Sequence, residues 1–346
     1  MYSEIGVKNL IRDSKDNCNW EHALCGYILT IYTIPNTEYI WVVTSEKNVY
    51  LLHTENGKII HAFENIAELI FTSVKQPNTQ ELFLATNNGI FALNTEGKIK
   101  HILKENNWFE HLAFSLDGKV LFVAKGKTLY LFEQENEEYC LVKQDSSFNS
   151  TISDIIFKHG SFLVANYGGI REYKPNDAYN YSLFEWKTSL LLTSWSTDKK
   201  YIATATQENA VHFWTYPFIE NNDFQISGFE NKITKMLWNK DASLFIVNSG
   251  EDIDLWDFSD GPPTGKQPIN LRCGNGKICD IYFDENLLIA ASENGFIYFF
   301  LPDVSNRLVQ ICAIEEKISC IAVNEDETEL LVGSSSGKIY SFDIAI

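Results

Sequence analysis

The sequence predicts an all-β protein built from a repeated unit, and three observations predict it. Short apolar segments separated by turn residues recur in groups every 38 to 45 residues. Aromatic residues reach 14%, with 23 Phe, 16 Tyr and 8 Trp, and such residues, with the β-branched ones, fit half-buried pleated surfaces. No stretch carries a strand–helix phosphate loop or a nucleophile elbow, and almost no helical period is visible to supply one.

The repeat is clearest at 233–258, ITKMLWNKDASLFIVNSGEDIDLWDF: apolar segment, polar turn, second segment, tight turn, third segment. The first segment recurs with Tyr32, Phe71, Phe114, Phe157, Trp195, Trp238, Phe283 and Val323 at its sixth place. The second follows each time (YIWVVTS, ELFLATN, KVLFVAK, SFLVANY, YIATATQ, LFIVNSG, LLIAASE, ELLVGSS), and so does the third (VYLLH, IFALN, LYLFE, IREYK, VHFWT, IDLWD, IYFFL, IYSFD). Short β-rich runs bounded by turn residues read as strands. Asn88-Gly89 and Asn294-Gly295 supply the positive φ that a hairpin turn needs. A fourth, more variable strand closes each unit.

Four short antiparallel strands per repeat make a β-propeller blade, since one blade cannot bury both faces and stacking neighbours in a closed ring does. We expect eight four-stranded blades, with seven as the alternative: 27–65, 66–106, 108–145, 152–187, 190–229, 233–274, 278–315 and 318–346. The weakest match is 152–187. The last unit has only three strands, so the N-terminal segment 17–25 should pair beside 338–345 and complete it.

With 346 residues, only 8 Pro and no linker-like stretch, the expectation is a single domain over 1–346. The opening MYSEIGVKNLIRDSKDN lacks the apolar core of a secretory signal, and no run approaches the ~18 apolar residues of a membrane span. A cytoplasmic location is expected. The seven cysteines show no CxxC pair and read as reduced thiols, with Cys273 and Cys279 close enough across an Asn-Gly turn to leave a disulfide or metal open. A formal charge of −18 repels phosphate backbones and anionic lipid, so nucleic acid and membrane are disfavoured and a basic protein partner is permitted.

On these residues the sequence resembles the WD-repeat β-propellers. The best unit carries Trp256-Asp257 and the corner Asn239-Lys240-Asp241; elsewhere the Trp place holds Leu52, Leu93, Phe132, Tyr173, Trp214, Phe300 and Phe342. The family's Gly-His pair is absent, so its side-chain hydrogen-bond network should be mostly missing and aromatic packing should substitute. The stretch from Gly228 to Leu271 looks like a bacterial subgroup found beside metal-handling GTPases. The resemblance implies a non-catalytic scaffold for protein partners, monomeric and without a cofactor. A metal- or ligand-binding sensor and a channel hydrolase are the alternatives.

In such a ring the third place of each first strand lines the central channel. Here it holds Leu29, Glu68, His111, Asp154, Leu192, Lys235, Asp280 and Cys320. Carboxylates, an imidazole and a thiol around one axis offer acid–base or metal chemistry; hydrated polar residues are the plain alternative. For partner binding, the turns between second and third strands and those entering the first would present Trp108, Phe148, Tyr167, Trp186 and Phe229 among Glu208, Glu251, Asp252 and Glu293. Aromatics are enriched at interface hot spots, and acidic neighbours favour a partner bearing Lys or Arg.

Overall fold

A computed structural model describes residues 11–13, 18–219, 222–284, 287–301 and 307–344. Most of the opening segment 1–17, including the first residue of the expected closing strand, lies outside the described residues, as does residue 345 of its mate. Two compact units divide the chain, one comprising Met1–Ile66 with Leu237–Ile346 and the other Ala67–Met236.

The first unit contains four sheets. Strands Ile28–Thr33, Tyr39–Thr44, Val49–His53 and Ile59–Phe63 pair antiparallel in sequence order. Strands Lys235–Trp238, Leu244–Asn248, Ile253–Asp257 and Ile269–Leu271 form the next sheet, and Ile278–Phe283, Leu288–Ser292, Phe296–Leu301 and Arg307–Ala313 another. This last sheet gains a fifth strand that the repeat did not suggest, Ile11–Asp13, parallel to Arg307–Ala313.

In the fourth sheet Cys18–Ala23 lies antiparallel to Lys338–Asp343, followed by Glu329–Ser334 and Ile318–Val323. The N-terminal segment thus takes the fourth place beside the last three strands. Trp20 anchors it by donating its indole N–H to the Thr54 carbonyl at 2.6 Å. Gly57 makes room for that ring. At φ +65° it sits in the left-handed region, and a Cβ there would stand 2.4 Å from the indole.

The second unit contains three sheets. Strands Ile70–Lys75, Leu82–Thr86, Gly89–Leu93 and Ile99–Lys104 form one, and His111–Phe114, Val120–Lys125, Thr128–Glu135 and Glu138–Asp145 another. The third has six strands: Asp154–Lys158, Ser161–Tyr173, Tyr181–Trp195, Tyr201–Thr206, Val211–Thr215 and Asp223–Ile226. The two blades expected at 152–187 and 190–229 are therefore one continuous sheet, and the described strands make seven sheets, not eight. The reason lies in YSLFEWKTSLLLTSW, a 15-residue strand with no Gly or Pro to interrupt it. Its first part pairs with Tyr167–Tyr173 and its last part with Tyr201–Thr206.

Alternating burial follows the strand period. Within the second unit, Phe122 and Phe162 stack face to face at 3.7 Å in a fully buried cluster with Tyr173 and Ile152. In the first unit Ile28, Val42, Leu52 and Ile339 join Cys320 in a corresponding cluster. The aromatic content expected to replace the family's polar network is thus buried between strands, at about 1.5–3 kcal/mol per large side chain.

Candidate docking site

The channel places come first, because two of their carboxylates, Asp154 and Asp280, have a defined structural role. Asp154 accepts the Thr193 N–H at 2.7 Å, from the first strand segment of the following repeat. In the first unit Asp280 does the same, accepting the Ile321 N–H at 2.9 Å and its own neighbour Ile281 N–H at 2.9 Å. Each therefore ties its strand to the next repeat. Burial pushes the Asp154 carboxyl up to about 6 against these N–H donors. Cys320 is buried and its thiol pushed well up by burial; His111 is half-buried, its imidazole pushed down by the same cause. Lys235 is half-buried, while Glu68 and Leu29 are exposed.

Among the described residues no three His, Cys, Asp or Glu side chains gather to hold a metal. Cys273 and Cys279 are not joined by a disulfide.

The aromatic candidates separate. Trp108 is 60% exposed and leans on Phe71 at 5.5 Å; Tyr167 is 54% exposed. Both stand where a chain enters a first strand or turns from second to third, the same end of their own sheets. Phe148 does not join them: it is 4% exposed, and the Arg171 guanidinium covers its ring at 3.8 Å. Tyr181 lies 4.4 Å from the same guanidinium. Arg171 also donates to Ser147 Oγ at 2.7 Å and pairs with Asp145 at 3.3 Å, and Tyr173 donates to Asp145 at 2.7 Å. Burial raises the Asp145 carboxyl, but hydrogen bonds from Ser147 and Tyr173 and the Arg171 charge outweigh it and leave it below its ordinary value.

Trp186 and Glu208 come together. They line a cavity of about 510 Å³ with Glu185, Lys187, Thr188, Thr206 and Gln225. Trp186 lies opposite Gly168 in the strand pairing, and Gly168 follows Tyr167 in the chain. Glu208 is exposed and fixed: both its oxygens lie 2.5 Å from the Thr188 hydroxyl, which holds the carboxyl below its ordinary value.

Beneath the indole lies His212, stacked at 3.6 Å and 17°, with Trp214 edge-on at 4.4 Å. The imidazole is fully buried, and among the described residues neither ring nitrogen has a hydrogen-bond partner. Burial pushes it down to about 4, against the Asp223 carboxylate 3.6 Å away. Of the other candidates, Phe229 is half-buried, Glu251 and Glu293 are exposed, and Asp252 accepts the Cys273 N–H at 2.9 Å.

Sequence reasoning missed Arg171 and His212, yet a signal was present. The second place of the third segment holds Tyr50, Phe91, Tyr130, Tyr298 and Tyr340, but Arg171, His212 and Asp254 in the remaining units. A polar residue where the repeat puts a buried aromatic marks a local arrangement that must satisfy or shield it.

No family model matches the chain. Over 152 residues it is 26% identical to a WD repeat-containing protein 55 homolog of Drosophila persimilis, covering 42% of this chain and 29% of the relative. The corresponding protein of Drosophila ananassae is 27% identical over 100 residues, 28% of this chain and 20% of the relative. The chain thus spans less than a third of the curated relatives it matches. The matches to Drosophila proteins give no support to the expected bacterial character.

Among solved structures, Saccharomyces cerevisiae Sqt1 superposes with a TM-score of 0.77 at 11% identity, covering 95% of this chain and 99% of that one. The propeller of Dos1 gives 0.75 at 15% identity over 94% and 95%, and the computationally designed Ika8 protein 0.77 at 10% over 95% and 100%. Identities this low speak for fold alone, and the fold is a β-propeller of four-stranded blades. Among the described residues no helix is long and apolar enough to cross a membrane. In fold the chain is a β-propeller, and part of its sequence is similar to WD repeat-containing proteins, the resemblance that its repeat carries.

Proposed function

We propose that the chain is a non-catalytic protein-interaction scaffold, acting as a single cytoplasmic monomer, whose partner docks where Trp108, Tyr167 and Trp186 stand. WD-repeat propellers are typically interaction scaffolds. The observation that carries the location is the exposure of two of the candidate aromatics, Trp108 at 60% and Tyr167 at 54%, at the loop ends of their sheets. Rigid aromatics supply large contact area at low entropy cost and cluster at hot spots. The net charge of −18 favours a basic partner and gives the encounter a salt dependence. Asp154 and Asp280, the residues on which a channel hydrolase would depend, are committed to backbone N–H groups, which weighs against that alternative.

The test is an affinity capture from the protein's own cell lysate at low and high salt, beside a Trp108→Ala/Tyr167→Ala variant. A salt-sensitive partner kept by the intact chain and lost by the variant is the expected outcome. A partner retained equally by both overturns the location, and the absence of any specific partner at either salt overturns the scaffold reading.

A further inference from the structure

The cavity at Trp186 has a composition that selects one kind of guest. One face of the indole is covered by His212 at 3.6 Å, and Trp186 lines about 510 Å³ of space. That volume lies in the range of ligand pockets. Two carboxylates, Glu185 and Glu208, line it with the hydroxyl residues Thr188 and Thr206 and the amide of Gln225. Lys187, exposed on the same wall, offsets one of the two negative charges.

An aromatic face rimmed by carboxylate and hydroxyl oxygens is rich in acceptors and attracts a cation over the ring. Trp is the best ring for this purpose. Burial keeps His212 uncharged down to about pH 4, so no positive charge stands behind the indole to oppose a guest cation. Glu208 is immobilised by Thr188, so holding it in place on binding costs little further entropy.

We propose that this cavity receives one cationic side chain of a protein partner, a lysine or arginine, with its charge over the face of Trp186 opposite His212 and its N–H groups on Glu208 and Glu185. The proposal rests on the scaffold reading and names the chemical anchor that reading lacks. A single side chain in such a site binds weakly alone; its value lies in fixing where a longer basic segment sits.

The experiment titrates the full chain with acetyl-arginine amide, acetyl-lysine amide and, as the neutral isostere of the first, acetyl-citrulline amide. The indole N–H resonance of Trp186, assigned with Trp186→Phe, is the readout. The cationic probes should move that resonance saturably while citrulline does not. Glu208→Gln should weaken binding about tenfold, the loss of one charge-assisted contact. Glu185→Gln, at an exposed position where folding is not at stake, should weaken it less.

Equal shifts from citrulline and arginine, or none from any probe, overturn the inference. The two readings fail separately. If Glu208→Gln retains the partner captured by the intact chain while Trp108→Ala/Tyr167→Ala loses it, the docking end stands and this cavity is not its anchor.

Discussion

The sheet with the best family signature and the stretch with the worst differ in an unexpected direction. In the former, Trp256 is buried with its indole nitrogen unpartnered among the described residues, and Asp257 is exposed and caps its own turn through Ser259 N and Oγ at 2.8 and 2.6 Å. Asp257 also pairs with Lys266 at 3.8 Å, again close by in the chain. In the latter, Arg171 and Tyr173 reach back to Asp145 and Ser147 in the preceding sheet, and Asp154 reaches forward to Thr193. A degraded repeat can therefore hold more of the tying interactions than an intact one. The motif residues make a local turn; connections between repeats are built wherever a buried place accepts a polar side chain.

The largest expected effect breaks this comparison if it is absent. Arg171→Ala removes the cation from a pair whose side chains are 10% and 11% exposed, leaving the Asp145 charge with only the neutral donors Ser147 and Tyr173 and uncovering Phe148. Breaking a buried pair from one side costs about 3–5 kcal/mol. Asp257→Ala, at an exposed turn, should cost less than about 1 kcal/mol. Urea unfolding of the two variants is the measurement. Equal midpoints would mean that the signature residues matter as much as the network that replaces them.

The next effect lies in pH. His212 is held at about 4 against an ordinary 6.5, so between those values the unfolded chain binds more protons and stability falls as pH drops, by about 3 kcal/mol in all. Asp154 is raised to about 6 from 3.8, so through that window the folded chain binds more protons and stability rises as pH drops, by a similar amount. The two contributions oppose each other between pH 4 and 6. Asp154→Asn should uncover the acid sensitivity of His212 as a steeper loss below pH 6, and His212→Phe should reverse the slope. Denaturant midpoints across pH 4 to 7 decide it; unchanged slopes in both variants would refute the assignment.

Much of this was legible in the chain, and the illegible part has physical causes. The strand repeat, its turns and the pairing of the N-terminal strand with the last three follow from period-two burial and Gly/Asn punctuation, which act locally. The count failed at Lys187–Leu190 because the expected boundary contains no residue that forbids a strand, so the ladder runs on. Trp108 and Tyr167 are exposed as the loop positions suggested, but Phe148 is not. Its fate depends on Arg171, 23 positions along the chain, and no local pattern carries that contact. His212 and Arg171 stood out only against the aromatic at the same place in five sister repeats. Comparing copies of the repeat with one another therefore located more than comparing them with the family motif.

Asp280 offers the finest test of how the repeats are tied. Its two oxygens serve two backbone donors, Ile281 and Ile321, so the carboxylate is used on both sides. Asp280→Ala leaves both N–H groups without that acceptor and should cost about 1–3 kcal/mol. Asn brings one acceptor oxygen and turns an amide donor toward the other N–H, so Asp280→Asn should recover at most half of that loss. Were the residue instead a hydrated channel carboxylate, water would replace either oxygen and both variants would unfold like the parent. Urea midpoints in the order parent, Asn, Ala therefore separate a tether from a solvated channel wall, and the spacing between them gives the contribution of each donor.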